Sequence, residues 1–199
     1  SQIFGFSKTA VTVNADFDKL SNDNLFTDVQ QFKFLKQNFK QLEDKYDLLS
    51  PLYRISGVVS KDIKCSSIFD YLKKFFASKI SSNNVTFELT PSFKNHIINI
   101  KEPVIHTVFI NIVNNAFYWV RNSNIKHIKF DYFKDTDEIL IINSGQKIEE
   151  HRLEKIFGLF YSNRPNGRGI GLYLSKQSLN ECYFDIYATN DKNYNSLNG

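Results

Sequence analysis

The sequence predicts an α+β protein, with a two-layer α/β sandwich over residues 57–199 preceded by an antiparallel helical hairpin over residues 1–56. Three observations carry that reading. In the first third, apolar residues recur at steps of three and four. In the remainder, short alternating β-type segments are interleaved with one long apolar helix. Three alternating glycines, Gly167, Gly169 and Gly171, then run directly into a helical apolar pattern.

Bulk composition is that of a globular chain. Of the 199 residues, 42% are hydrophobic and 23% charged, which argues against wholesale disorder. Phenylalanine occurs 19 times, so aromatic packing is expected to carry much of the core. The net charge of +4 is mild and scattered, and gives no footprint for nucleic acid. The two cysteines, Cys65 and Cys182, lie far apart without metal-ligand spacing, and no signal peptide is visible. A reduced, cytoplasmic setting is therefore expected. No apolar run approaches the roughly 18 residues of a membrane helix. The absence of methionine, even at position 1, suggests a piece of a longer protein.

The first apolar series runs Ile3, Phe6, Ala10, Val13, Phe17, Leu20, and a polar turn follows at 21–24. The second runs Val29, Phe32, Leu35, Phe39, Leu42, Tyr46, Leu49, and Pro51 stops it. A lone hairpin leaves both stripes half exposed. They are expected to pair two chains into a four-helix bundle; the alternative is packing on the chain's own domain.

A short strand is expected over 63–66 and one amphipathic helix over 67–80. Val85–Leu89 and His96–Ile100 read as two strands of a hairpin turning at 91–95. Pro103 opens a long helix from about Val104 to Arg121, near whose start His106 reads as a surface or capping histidine. On this helix Asn111 and Asn115 stand four apart, hence on one face. Asparagine is a weak helix former, so the pair invites explanation. Either they are satisfied core amides, or an asparagine carbonyl holds a hydrated Mg²⁺, a hard ion that prefers oxygen. Strands at 126–133 and 138–143 form a second hairpin. A short helix at 149–157, a loop at 158–165, a helix at 170–180 and a strand at 184–188 follow, and a final strand is expected beyond the end. The glycine run itself is either an ordinary turn or a phosphate cradle, where exposed N–H groups meet the positive end of a helix dipole.

Four motifs in this order resemble the ATP-binding domain of sensor histidine kinases, part of the wider group that includes DNA gyrase B, MutL and heat-shock chaperones. Ile110–Ala116 is similar to the N box, Ile142–Ile148 to the first glycine box, Ile156–Ser162 to the F box, and Gly167–Leu172 to the second glycine box. The resemblance covers residues 104–172, and with the hairpin nearly the whole chain. It implies a Bergerat-type fold, with a mixed sheet and helices on one face, that binds ATP with Mg²⁺. By position, Asn115 would ligate the metal and Asn111 would support the phosphate side, the two forming the catalytic pair. Asn143 would stand for the aspartate that recognises adenine, and Gly145 would let the base lie against the backbone. Gly167, Gly169 and Gly171 would form a mobile lid, with Arg164 and Arg168 offering charge to phosphates. Tyr118, Trp119, Lys147, Ile148, Phe157, Ile170 and Leu172 complete the expected nucleotide site.

Three departures stand out. Asn143 lacks the aspartate's charge, Lys147 replaces a glycine, and Tyr118 stands where a lysine or arginine is common, a charge that Arg164 or Lys147 would have to supply instead. Asn111 also replaces the glutamate that serves as general base in hydrolysing members, which favours phosphoryl transfer to a histidine over ATP hydrolysis. Residues 1–56 hold no histidine, and all four (His96, His106, His127 and His151) lie later, so the acceptor is expected upstream of Ser1. A response regulator would be the downstream partner. The alternatives are a non-catalytic nucleotide-gated dimerisation switch and a weak ATPase. Gly169→Ala is expected to weaken ATP binding while leaving the fold intact.

Overall fold

The computed structural model describes residues 57–197 other than 166, 192, 195 and 196, all within a compact unit spanning Ile55–Gly199. The hairpin expected over 1–56 lies outside the described residues.

Strand β1 (Lys61–Lys64) runs into helix α1 (Cys65–Phe75), whose first amide is tied by the Cys65 N–H donating to the His96 carbonyl at 3.0 Å. Cys65, Ile68, Phe69 and Leu72 are buried at the spacing of one helical stripe. The single helix expected over 67–80 is two. At Phe76 the backbone leaves helical geometry (φ −98°, ψ 12°), its side chain turns in against Phe117 at 5.1 Å, and α2 (Ala77–Asn83) follows.

Strand β2 (Thr86–Leu89) does not form the expected hairpin with β3 (Ile97–Ile100). Between them the predicted turn is a helix, α3 (Pro91–Asn95), with proline in its first turn and Thr90 Oγ1 accepting from the Phe93 N–H. A tight hairpin needs a two- to five-residue turn whose twist matches the strands, and an inserted helix aims them apart. β3 instead pairs antiparallel with β1, with Ile63 opposite Ile98. β2 pairs parallel with β4 (His127–Phe133), which pairs antiparallel with β5 (Glu138–Asn143), giving a mixed sheet ordered β2-β4-β5. The Thr90 and Ser92 hydroxyls donate to Asp131 Oδ1 at 2.7 and 2.9 Å, stapling α3 to β4.

The long helix is α4 (Glu102–Val120). It buries Val104, Ile105, Val108, Phe109, Val113, Ala116, Phe117 and Val120, and it packs against β4 and β5. At the centre lies Phe130, with no exposed surface, among the rings of Phe69, Phe87, Phe93 and Phe109 at 5.1–6.2 Å. The aromatic core expected from composition is thus found in one place.

Two further expectations differ. Residues 149–157 form two single 3₁₀ turns, Glu150–Arg152 and Lys155–Phe157, in place of the expected short helix. The last helix, α5 (Gly171–Asn180), packs on α4, but residues 184–188 form no strand. Tyr183 takes a left-handed φ of 63°, and Asp185 Oδ1 captures the Ile186 N–H at 2.8 Å, a local bond that competes with a ladder. This segment meets β5 through side chains. Tyr187 donates its hydroxyl to Glu138 Oε1 at 2.7 Å, and bonds from Thr136 and Tyr187 hold the Glu138 carboxyl below its ordinary range.

Candidate functional site

Asn111 and Asn115 share one face of α4, and both amides have partners. Asn111 Nδ2 donates to the Gly171 carbonyl at 3.1 Å and to Ser175 Oγ at 3.2 Å; Ser175 Oγ itself donates to the Gly171 carbonyl at 2.9 Å. These bonds fix the first turn of α5 to the middle of α4. Its capping residue, Ile170, gives no side-chain cap. No N-cap side chain therefore covers the opening N–H groups of α5.

One turn along α4, Asn115 Oδ1 accepts from Arg164 Nη1 at 2.6 Å. The Arg164 guanidinium carbon lies 4.3 Å from the centroid of the Tyr118 ring, which stands edge-on to Trp119 at 5.0 Å. Asn114 points elsewhere and accepts from Lys79 at 2.7 Å. The backbone of Arg164 is held as well. Its N–H donates to Ser162 Oγ at 3.1 Å, and its carbonyl accepts from the Gly167 N–H at 2.8 Å. Gly169, at φ +65°, lies with its backbone against Phe160 and Tyr161, and Phe160 is itself left-handed at φ +64°. Arg168 is exposed.

Across from α4, the β5 end turns at Asn143–Gly145, where Asn143 Oδ1 accepts from the Gly145 N–H at 2.9 Å. A carbonyl oxygen has a second lone pair, so this oxygen keeps one acceptor site. Gly145 is packed so closely that an added Cβ would sit 2.8 Å from Trp119 Cβ. Lys147 is exposed. The Ile148 backbone is paired in both directions with Asn190, its carbonyl accepting from Asn190 Nδ2 at 2.5 Å and its N–H donating to Asn190 Oδ1 at 3.3 Å.

Between these elements opens a cleft of about 1070 Å³. Asn115, Trp119, Asn143, Gly145, Lys147, Ile148, Phe157 and Leu172 line it, and it continues between β5 and residues 183–190. Asn111, Tyr118, Arg164, Gly171 and the buried Ile170 are not among its lining; Arg164 is joined to it through Asn115 and Tyr118 through Trp119, and Asn111 is bonded to Gly171. Phe157 is buried with Lys176 Nζ 5.4 Å from its ring centroid. Reading the sequence missed Ser162, Ser175 and Asn190. Each holds a predicted residue in place by one hydrogen bond or two, and a lone serine or asparagine, whether in a loop (Ser162, Asn190) or on a helix (Ser175), has no pattern to mark it. His106 is not among the cleft lining and stacks on Tyr71 at 4.3 Å. Burial pushes the Cys65 thiol up to about 12, so it is no nucleophile.

Residues 100–195 match the family model described as histidine kinase-, DNA gyrase B-, and HSP90-like ATPase. Solved structures share the fold. The nucleotide-free catalytic domain of histidine kinase ThkA is 22% identical, with 61% of this chain and 80% of that chain covered and a TM-score of 0.51. The mycobacterial sensor histidine kinase MprB is 18% identical over 62% of this chain and 80% of that chain, with a TM-score of 0.51. Histidine kinase ThkA in complex with response regulator protein TrrA is 17% identical over 96% of this chain and 57% of that chain, with a TM-score of 0.58. Among curated proteins none matches the sequence.

Proposed function

We propose, from residues 100–195 as a domain of the histidine kinase-, DNA gyrase B-, and HSP90-like ATPase family, that this chain is the ATP-binding portion of a sensor histidine kinase. It transfers the γ-phosphoryl group of ATP to a histidine outside residues 1–56. The observation that carries this reading is a cleft lined on one side by Asn115 and Leu172 and on the other by the Asn143–Gly145 turn, with Arg164 bonded to Asn115 and Asn111 bonded to Gly171 at the start of α5.

The adenine end lies at Asn143 and Gly145, where one amide acceptor site remains. The polyphosphate end lies at the opening N–H groups of α5 and at Arg164, whose planar fork matches phosphate oxygens. Phosphoryl transfer asks for positioning and for positive charge at the transferred group, and these residues supply both. Hydrolysis is disfavoured, since Asn111 carries no basic group and its Nδ2 is committed to Gly171 and Ser175.

Asn115 is the residue expected to ligate Mg²⁺. Its one side-chain acceptor, the amide oxygen, is already engaged by Arg164. As arranged, these residues do not fit a resident divalent ion, and no step of the transfer is assigned to one. The same contact favours a second reading, in which nucleotide occupancy rearranges the Arg164 loop and gates dimerisation without transfer.

Residues 1–56 serve in either case as the dimerisation hairpin of a homodimer. In the kinase reading a response-regulator protein receives the phosphoryl group and the setting is cytoplasmic. Among the described residues no helix is long and apolar enough to cross a membrane. Incubation of the chain, extended upstream of Ser1 to include a histidine, with γ-labelled ATP separates the readings. Acid-labile label on the protein supports the kinase; bound ATP without label supports the switch; steady phosphate release abolished by Asn115→Ala supports an ATPase and refutes both.

A further inference from the structure

The Arg164–Asn115–Tyr118 cluster deepens the ATP-binding reading and rests on it. An arginine side chain loses much rotamer freedom when fixed, and here it is fixed at every level. Ser162 and Gly167 hold its backbone, Asn115 Oδ1 accepts from Nη1 at 2.6 Å, and the Tyr118 ring lies 4.3 Å under the guanidinium carbon. Neutral partners leave its charge uncompensated within the cluster: an amide oxygen and an aromatic face orient a cation without cancelling it. A divalent ion at Asn115 would have to displace this guanidinium or sit beside a like charge. Beside the phosphates and waters it would gain one neutral oxygen from the protein, whereas Mg²⁺ at a phosphate site ordinarily takes one or two carboxylates as well.

We propose that Arg164 is the built-in cation of this site, so that the chain binds a nucleoside triphosphate as the metal-free polyanion and Mg²⁺ competes with Arg164 instead of assisting. Asn115 and Tyr118 are then positioning residues for Arg164. Tyr118 presents no positive charge of its own; its ring seats one that arrives from the loop. Free fork donors of the guanidinium remain to grip two phosphate oxygens.

The test is calorimetric titration of ATP into the full chain, once with EDTA and once with excess Mg²⁺, for the wild type, Arg164→Ala and Arg164→Lys. The expected wild-type affinity in EDTA equals or exceeds that in Mg²⁺. Arg164→Ala loses about 10- to 100-fold in EDTA, the worth of a charge-assisted hydrogen bond, and regains part of it when Mg²⁺ is added, because Asn115 is freed. Arg164→Lys, which keeps the charge and loses the fork, falls between. Thermal melts establish that each variant is folded, and since Arg164 is only half buried, both are expected to be. Wild-type binding that requires Mg²⁺, or an Arg164→Ala variant with wild-type affinity in EDTA, overturns this proposal and leaves ATP binding standing. A wild type that binds ATP in neither condition overturns both.

Discussion

Replacing Gly169 by alanine places a methyl group at a position the backbone has closed. At φ +65° an L-residue is in the left-handed region, which costs about 1–2 kcal/mol. The added Cβ would also lie 2.3 Å from the Phe160 carbonyl carbon, 2.5 Å from the Tyr161 nitrogen and 2.6 Å from the Tyr161 oxygen. These are backbone atoms and cannot rotate aside. The 160–161 segment must move, at an overpacking cost of about 1–3 kcal/mol. Together the substitution removes about 2–5 kcal/mol, a large part of the roughly 5–15 kcal/mol that holds an ordinary domain. Gly57→Ala is the internal control. Its φ is +86° with nothing within 4 Å of the added Cβ, so only the left-handed penalty applies. Urea unfolding followed by Trp119, the single tryptophan, with ATP titration alongside, measures both variants. The expectation read from the sequence, weaker ATP binding with an intact fold, is thereby changed: Gly169→Ala should lower the unfolding midpoint well beyond Gly57→Ala. If the two midpoints coincide and ATP affinity is unchanged, the packing argument at Gly169 is refuted.

Phe130→Ala empties the centre of the aromatic cluster and should cost about 3–5 kcal/mol by urea unfolding; a loss under about 1 kcal/mol would show that the cluster collapses around the gap. His96 stacks on Tyr132 at 3.7 Å, and burial lowers its pKa below the ordinary 6.5, opposed by Asp137. The unfolded chain then binds more protons between the folded value and 6.5, so stability rises with pH through that window and is complete above it. His96→Gln should flatten the stability profile there, and an unaltered profile would assign the acid sensitivity to other groups.

Reading the sequence alone located most single elements, because each is specified by neighbours in the chain. The 3.6-residue stripe of α4, the β-type runs of β4 and β5 and the glycine run leading into α5 are local patterns, and the structure contains an element at each of them. The asparagine pair was legible for the same reason, since a four-residue spacing on a helix fixes a shared face. Partners across long sequence separations were not legible. β2 chose β4, 41 residues away at Thr86 and His127, because α3 turned the chain aside, a matter of three-dimensional direction that no local preference encodes. The strand expected over 184–188 was lost to a side chain, Asp185, competing for a ladder donor. At the site, the chain alone placed Asn115, Tyr118 and Arg164 as candidates and left either Arg164 or Lys147 to supply the charge that Tyr118 lacks. Only tertiary packing decided that a loop 49 residues downstream delivers Arg164 onto that tyrosine and into that amide, since a charge is put to use by where its backbone is held.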